Sequence, residues 1–408
     1  MGKTILMMGA FDTKGAEYAF LREQILLRGD TVLAVNTGVM GTTDLFPVGV
    51  EAAEVAKAGG ADLEALRQRK DRGEAMKVMC AGAAAVAKSL YDQKRFDGII
   101  GMGGTGGTTV VTSAMRALPV GVPKVCVSTA ASGDTSPYVG TKDITMAPSI
   151  VDVAGINRIS RLVISRAAGA VCGMAAMEPP KAASDKPIIT ASMFGNTTEC
   201  VNACADALSK KGYEILVFHA TGTGGKTMEA LVSEGLVDAV LDITTTEWAD
   251  TVCGGVFDAG PDRLSAPGRL GLPHLISPGC VDMANFGPVA TVPQKHKDAG
   301  RLFYEWNPSV TLMRTNIEEN RKMGEVFARK ANEAKGPVAF LIPLKGVSIL
   351  DGDGQPFCDR AADQAMFDAI KANLRKDIPV VEMDCNINEP PFAAKAVEMM
   401  LELIAKKK

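Results

Sequence analysis

A chain of 408 residues, 47% apolar and 22% charged, has the hydrophobic mass for two ordinary domains with buried cores and is not a disordered polymer. A formal net charge of -3 without a local basic patch offers no field for nucleic acid, and no apolar run approaches the ~20 residues that span a bilayer, so neither nucleic acid nor a membrane is an expected partner. Nine cysteines without a CxxC pair, no secretory signal ahead of them and only three histidines argue against a disulfide framework and against zinc, and suit a reducing cytoplasm.

The opening stretch "KTILMMGAFDTKGAEYAFLREQILLRGDTVLAVNTG" predicts a strand, a polar turn, an amphipathic helix from about Glu17 to Arg28, a glycine stop at Gly29 and a second strand. This is a βαβ unit. "FDGIIGMGGTGGTTVVTSAMRAL" adds a strand at Gly98 to Met102, a glycine turn and a helix, and "PKVCVSTAASGD" adds one more buried strand. Continuous apolar strands alternating with helices indicate a parallel sheet covered on both faces. The proline- and charge-rich "EPPKAASDKP", Glu178 to Pro187, reads as a linker, giving domains over 1–180 and 187–408. After it the pattern restarts, with Asn196-Thr197 where the first half has Asp12-Thr13, and Gly212 where it has Gly29. Later strands are "AVLDITTTE", "PHLISPG", "PVAFLIPLKG" and "PVVEMDCNIN", and "NIEENRKMGEVFARKANEA" is a helix with an asparagine cap. The fold class is therefore α/β: two Rossmann-like doubly wound domains with mainly parallel sheets, expected to face a common cleft.

Three strand-end loops of the first half carry candidate chemistry. "GMGGTGGTT" places Gly103, Gly104, Thr105, Gly106, Gly107 and Thr108 between a strand and a helix, where glycine lets backbone N–H groups approach a phosphate at a helix N-terminus. No acidic residue ends the next strand, which argues against NAD. "AFDTKG" puts Asp12, Thr13 and Lys14 in one turn, as metal or proton acceptor, phosphate hydrogen-bond donor and neutralising charge; a plain helix cap by Asp12 or Thr13 is the alternative. "STAASGD" adds Thr129, Ser132 and Gly133.

In the second half "HATGTGGKTMEAL" approaches Walker A but has Ala220 where the motif begins with glycine. His219, Thr221, Gly222, Gly224, Gly225 and Lys226 there form a candidate anion cradle for a substrate. "DITTTEWAD" offers Glu247 and Asp250, and "SPGCVDMANFG" offers Cys280, Asp282 and Asn285; an ordinary helix entry and an ordinary turn remain open for these.

Together "GAFDTKGAEYAFL", "GMGGTGGTT", "PKVCVSTAASGD", "PSIVDVAGINRISR", "HATGTGGKTMEAL", "DITTTEWADTVCGG", "AGPDRL" and "PLKGVSILD" resemble the Tm-1-like ATP-binding domain family over nearly the whole chain. The resemblance implies a cytoplasmic homodimer of two Rossmann-like halves that binds ATP; magnesium is a further expectation, from Asp12 in the strand-to-helix turn. The expectation is an ATP-dependent enzyme, kinase- or ligase-like, acting on a small organic substrate. Asp12, Lys14, His219 and Glu247 are its catalytic candidates. Two other classes stand beside it: a nucleotide-sensing or partner-binding module without turnover, and a hydrolase or lyase using the second-half loops.

Overall fold

The computed structural model describes residues 2–178 and 186–407. The chain divides into two compact units, Met1–Lys181 and Ala182–Lys408. Most of the linker expected at Glu178 to Pro187 lies outside the described residues.

The first unit is a sheet of β1 (Thr4–Gly9), β2 (Thr31–Asn36), β3 (Gly98–Gly103), β4 (Lys124–Ser128) and β5 (Thr145–Pro148). Its order is β2-β1-β3-β4-β5 and every pair is parallel, with Ile5 opposite both Val32 and Gly98. Alternation along β1 sorts the core: Leu6 and Met8 pack on the helices Arg72–Asp92 and Thr105–Arg116, while Ile5 and Met7 pack on Phe11–Leu26 and Arg158–Ala176. The first helix begins at Phe11, earlier than the expected Glu17, because the polar turn is itself helical, with a kink at Lys14 (φ -133°, ψ 29°). The expected stops at Gly29 and Gly212 hold, at φ 85° and 93°, a conformation that costs other residues about 1–2 kcal/mol.

The reading that no apolar run is long enough for a membrane needs correction. Helix Arg158–Ala176, 19 residues with a mean hydropathy of 1.3 in its most apolar window, is long and apolar enough to cross one. Its Ile164, Ala168, Val171 and Cys172 are instead buried against the first sheet.

The second unit holds β6 (Ile188–Met193), β7 (Glu214–His219), β8 (Ala239–Thr244), β9 (His274–Gly279), β10 (Met283–Phe286), β11 (Phe303–Asn307), β12 (Val310–Arg314), β13 (Val338–Pro343) and β14 (Val380–Met383). The main sheet runs β14-β13-β9-β8-β6-β7, all parallel. Helices Thr198–Lys210 and Pro390–Lys406 cover one face, and Ile317–Asn332 with Arg360–Asn373 cover the other. Asn316 caps the third of these in a reciprocal box with Glu319, as its sequence predicts. A second, antiparallel sheet runs β10-β12-β11, which the sequence pattern does not predict. Each unit is Rossmann-like and doubly wound.

Candidate functional site

Open parallel sheets bind ligands outside the carboxyl ends of their strands, where the strand order reverses. In the first unit that point lies between β1 and β3. Tyr18, from the first helix, wedges the two strands apart there: its hydroxyl lies 2.9 Å from Met8 O and 2.7 Å from Met102 O, and accepts from Met102 N–H. Gly9 leaves the room, since a Cβ on it would sit 1.9 Å from the Tyr18 hydroxyl.

The Asp12-Thr13-Lys14 turn leads out of β1. Neither Asp12 nor Thr13 caps the helix; the cap position is Ala10, and buried Asn36 accepts from the Phe11 N–H (3.2 Å) and the Gly38 N–H (2.9 Å) instead. Asp12 Oδ2 accepts from Met40 N–H at 2.9 Å, while its buried Oδ1 has no partner among the described residues. Lys14 donates to Val153 O, and Thr13 is exposed.

The glycine loop follows β3. Gly103 must be glycine, because a Cβ there would lie 2.9 Å from Gly107 Cα and hold helix and strand apart. The helix starts at Thr105 without a side-chain cap or an acidic residue in its first turn. Thr105, Gly106 and Gly107 therefore present three amide donors with no intrahelical acceptor, and Thr108 N–H is the first to find one, Gly104 O at 2.9 Å. A Cβ on Gly104, Gly106 or Gly107 would meet nothing closer than 3.8, 3.7 and 3.5 Å, so the space in front is clear. Thr108 shares a 2.6 Å hydrogen bond with Ser128 at the end of β4. Thr129 donates its N–H to Gly103 O, and Ser132 and Gly133 occupy an exposed turn beyond it. Sequence reasoning missed Arg72. Its exposed guanidinium has a nitrogen 3.7 Å from where a Gly106 Cβ would stand, and among the described residues it forms no ion pair, whereas nearby Arg67 and Arg69 pair with Glu64 and Glu74.

The second unit's glycine loop contrasts with this. Gly222 (φ 79°) opens the helix Thr223–Ser233, and its N–H and that of Gly225 both donate to Glu247 Oε1, at 2.8 and 3.0 Å. The cradle is already filled by a carboxylate of the same chain. Glu247 Oε2 is held by Arg263 Nε at 2.6 Å, and the same fully buried guanidinium also pairs with Asp242 and Glu229. His274 Nε2 lies 2.8 Å from Asp242. Burial alone would raise Asp242, but Arg263 and then His274 outweigh it and hold its carboxyl well below the usual range. Thr221 and Gly224 sit in the same turn, exposed His219 stacks on Phe194 at 5.3 Å, and Lys226 points to solvent beside a hollow of about 420 Å³ shared with Arg269 and Asp262.

Asp250, the other acid of that stretch, takes three hydrogen bonds, from Phe257 N–H and from the backbone and side chain of Asn285. Burial nonetheless pushes it up to about 7. An acid raised in the folded state from an unfolded value of about 4 binds more protons folded than unfolded between those values, so stability falls as pH rises from about 4 to 7. Asp250→Asn, with Asn285 turning its unpartnered Oδ1 toward the new amide, is expected to flatten that slope in urea titrations. A slope as steep as in the parent would mean that Asp250 ionises normally.

A hollow of about 580 Å³ lined by Tyr91, Asp92, Lys94, Val120 and Gly121 opens at the amino ends of β3 and β4. It is at the wrong end of the sheet for the loops above. Among the described residues no three His, Cys, Asp or Glu side chains converge as a metal site.

Models of an uncharacterised protein family, UPF0261, match both units: its N-terminal domain over residues 3–180 and its C-terminal domain over 186–404. A UPF0261 protein of Clostridium tetani is 47% identical over 407 residues, covering 100% of both chains. One from Mesorhizobium japonicum is 47% identical over 98% of this chain and 99% of its own. The ToMV resistance protein Tm-1 of Solanum lycopersicum is 38% identical over 98% of this chain, which spans 56% of the plant protein. With both of its domain models matched in order, and relatives aligned end to end, the chain belongs to the UPF0261 family, which includes Tm-1-like proteins.

Proposed function

We propose that the first unit binds ATP at the crevice between β1 and β3, as part of an ATP-dependent reaction, kinase- or ligase-like, on a small organic metabolite. The observation that carries this reading is the open helix start at Thr105 to Gly107, three free amides with cleared space ahead of them, beside the strand-order reversal. The residues fit the group. The amides and the Thr105 hydroxyl would hold the phosphates, Arg72 would neutralise them, and the unpartnered Asp12 Oδ1 would serve an accompanying magnesium ion. Glu247, by contrast, is committed to Gly222, Gly225 and Arg263, so the second unit's loop supports a built-in structural anion better than a phosphate site. A second reading, a partner-binding module without turnover, is favoured by the tomato relative, whose name is that of a resistance protein.

The test is a thermal shift with ATP and magnesium, where saturation a hundredfold above the dissociation constant stabilises by about 2.7 kcal/mol. Gly104→Val fits the fold, since its Cβ has room, and is expected to remove the shift. Arg72→Met is expected to weaken ATP about tenfold and leave adenosine unaffected. A full ATP shift in folded Gly104→Val would move the nucleotide elsewhere.

A further inference from the structure

Ile150, two residues past β5, stands in the left-handed conformation at φ 65°, which a β-branched side chain rarely adopts. Val151 N–H closes on Ser149 O at 2.7 Å around it, a three-residue turn of the rare, strained kind. Folding does not call for isoleucine there. The side chain is 74% exposed and adds nothing to the core, and at Gly29 and Gly212 the chain takes the same conformation with glycine, which bears it without strain. The turn is also pinned on both sides and cannot relax. Ser149 N–H donates to Ser128 O at 3.1 Å, buried Val153 accepts from Lys14 through its main-chain O, and Gly155 N–H donates to Glu17. An exposed apolar side chain held rigidly at a cost in backbone strain is a feature of ligand clamps.

Its place in the sheet says which ligand. Gly103, Ser128 and Pro148 are register partners in one row across β3, β4 and β5, so the two ends of the row are about 10 Å apart. The open amides of Thr105 to Gly107 follow one end, and Ile150 follows the other. Between them the β4 loop supplies the short side chains of Thr129, Ala130 and Ala131, and Thr129 Oγ1 would lie 3.8 Å from a Cβ on Gly104. In the opposite direction, toward β1 and β2, the chain fills its own space: a Cβ on Gly38 would stand 2.3 Å from Asp12 Oδ1, and Met40 N–H ties the same loop to Asp12. A nucleotide anchored by its phosphates on the glycine loop therefore has its clear path across β4 toward β5.

We infer that Ile150 is the base-contacting residue of the nucleotide site, packing on the face of a purine whose triphosphate lies over Thr105 to Gly107. The inference rests on the ATP reading of that loop and adds a specificity to it. An apolar side chain on the face of a base responds to the area it covers and not to the hydrogen-bonding edge, so it favours purines over pyrimidines and does not separate ATP from GTP.

The experiment is calorimetric titration of the full chain with ATP, GTP, CTP and inorganic tripolyphosphate, each with magnesium. We expect ATP and GTP to bind alike and both more tightly than CTP. Ile150→Ala should weaken ATP about tenfold, the scale of losing one buried aliphatic contact, and leave tripolyphosphate unchanged. Ile150→Met, which restores apolar reach, should recover ATP binding. Ile150→Gly also removes the strain, so it should lose the same affinity while melting no lower than the parent without nucleotide. Exposed Met40, on the β2 side, is the control, and Met40→Ala should bind ATP as the parent does. CTP binding as tightly as ATP, an unchanged ATP affinity in Ile150→Ala, a parallel loss of ATP and tripolyphosphate, or a selective loss in Met40→Ala would overturn the inference and leave the phosphate site standing. Failure of the parent to bind either ATP or tripolyphosphate would overturn the ATP reading, and this inference with it.

Discussion

Arg263→Met should lower the stability of the second unit by about 3–5 kcal/mol, the loss typical when one partner of a buried ion pair is removed. The guanidinium is 1% exposed and is the common partner of Asp242, Glu247 and Glu229, so methionine would fill much of the volume and satisfy none of the charge. The pH dependence identifies the cause. In the parent, Asp242 is held below the usual range, so its contribution is present above the unfolded carboxylate value of about 4 and is lost as pH falls below it. In the variant the stranded carboxyls are raised by burial, so stability is greatest below about 4 and declines as pH rises. Stability from urea titrations between pH 4 and 8 should therefore fall more steeply with pH in the variant than in the parent, where Asp242 adds no slope above about 4 and only Asp250 contributes a decline. Adding Asp242→Asn to the variant should recover part of the loss. A variant that loses less than 1 kcal/mol, with the parent's pH slope, would show that the cluster is hydrated and the pairing weak.

Asp12→Asn is expected to spare the fold and to reduce magnesium-dependent turnover a hundredfold or more, the scale of removing one electrostatic contact from a reacting centre. The amide oxygen can still accept from Met40 N–H, the only hydrogen bond the carboxylate makes among the described residues, and no helix cap is at stake because the cap position is Ala10. What changes is the unpartnered Oδ1, which becomes an NH2 group unable to bind a cation. ATP affinity measured with and without magnesium reads this before any substrate is known: the parent should show a magnesium enhancement and the variant should not. An enhancement of the same size in both would remove Asp12 from the metal's surroundings and favour the partner-binding reading.

The parallel strands and the helices between them could be read from the chain because each is a local pattern: apolar runs such as "GIIGMG" and "AVLDIT" become β3 and β8, and the Asn316 cap lies three residues from its partner Glu319. Long-range closure is what the sequence hides. Nothing near Gly222 announces that Glu247 will fill its amides, or that Arg263 will fix Glu247 in turn, because those contacts join three different loops. The near-match to Walker A lies on amides that a carboxylate of the same chain already occupies. Arg72 escapes notice for a related reason: an arginine in "LRQRKDRGEAM" looks like any solvated charge until the fold brings it over Gly106. The β10-β12-β11 sheet was hidden because its strands are short and its edge strand, "FYEWN", is largely exposed.

The strand order also dictates a timetable for synthesis. Since β1 takes β3 as a partner, with Ile5 against Gly98, a nascent chain cannot complete the inner pair of its first sheet until residues far downstream have left the ribosome. Even then one face stays only partly covered until Arg158–Ala176 is made, and in the second unit Leu241, Leu275 and Leu341 wait for Pro390–Lys406 to complete their cover. Each unit is thus latched by its own final helix, and a ribosome stalled shortly before either would display a broad sticky surface to chaperones.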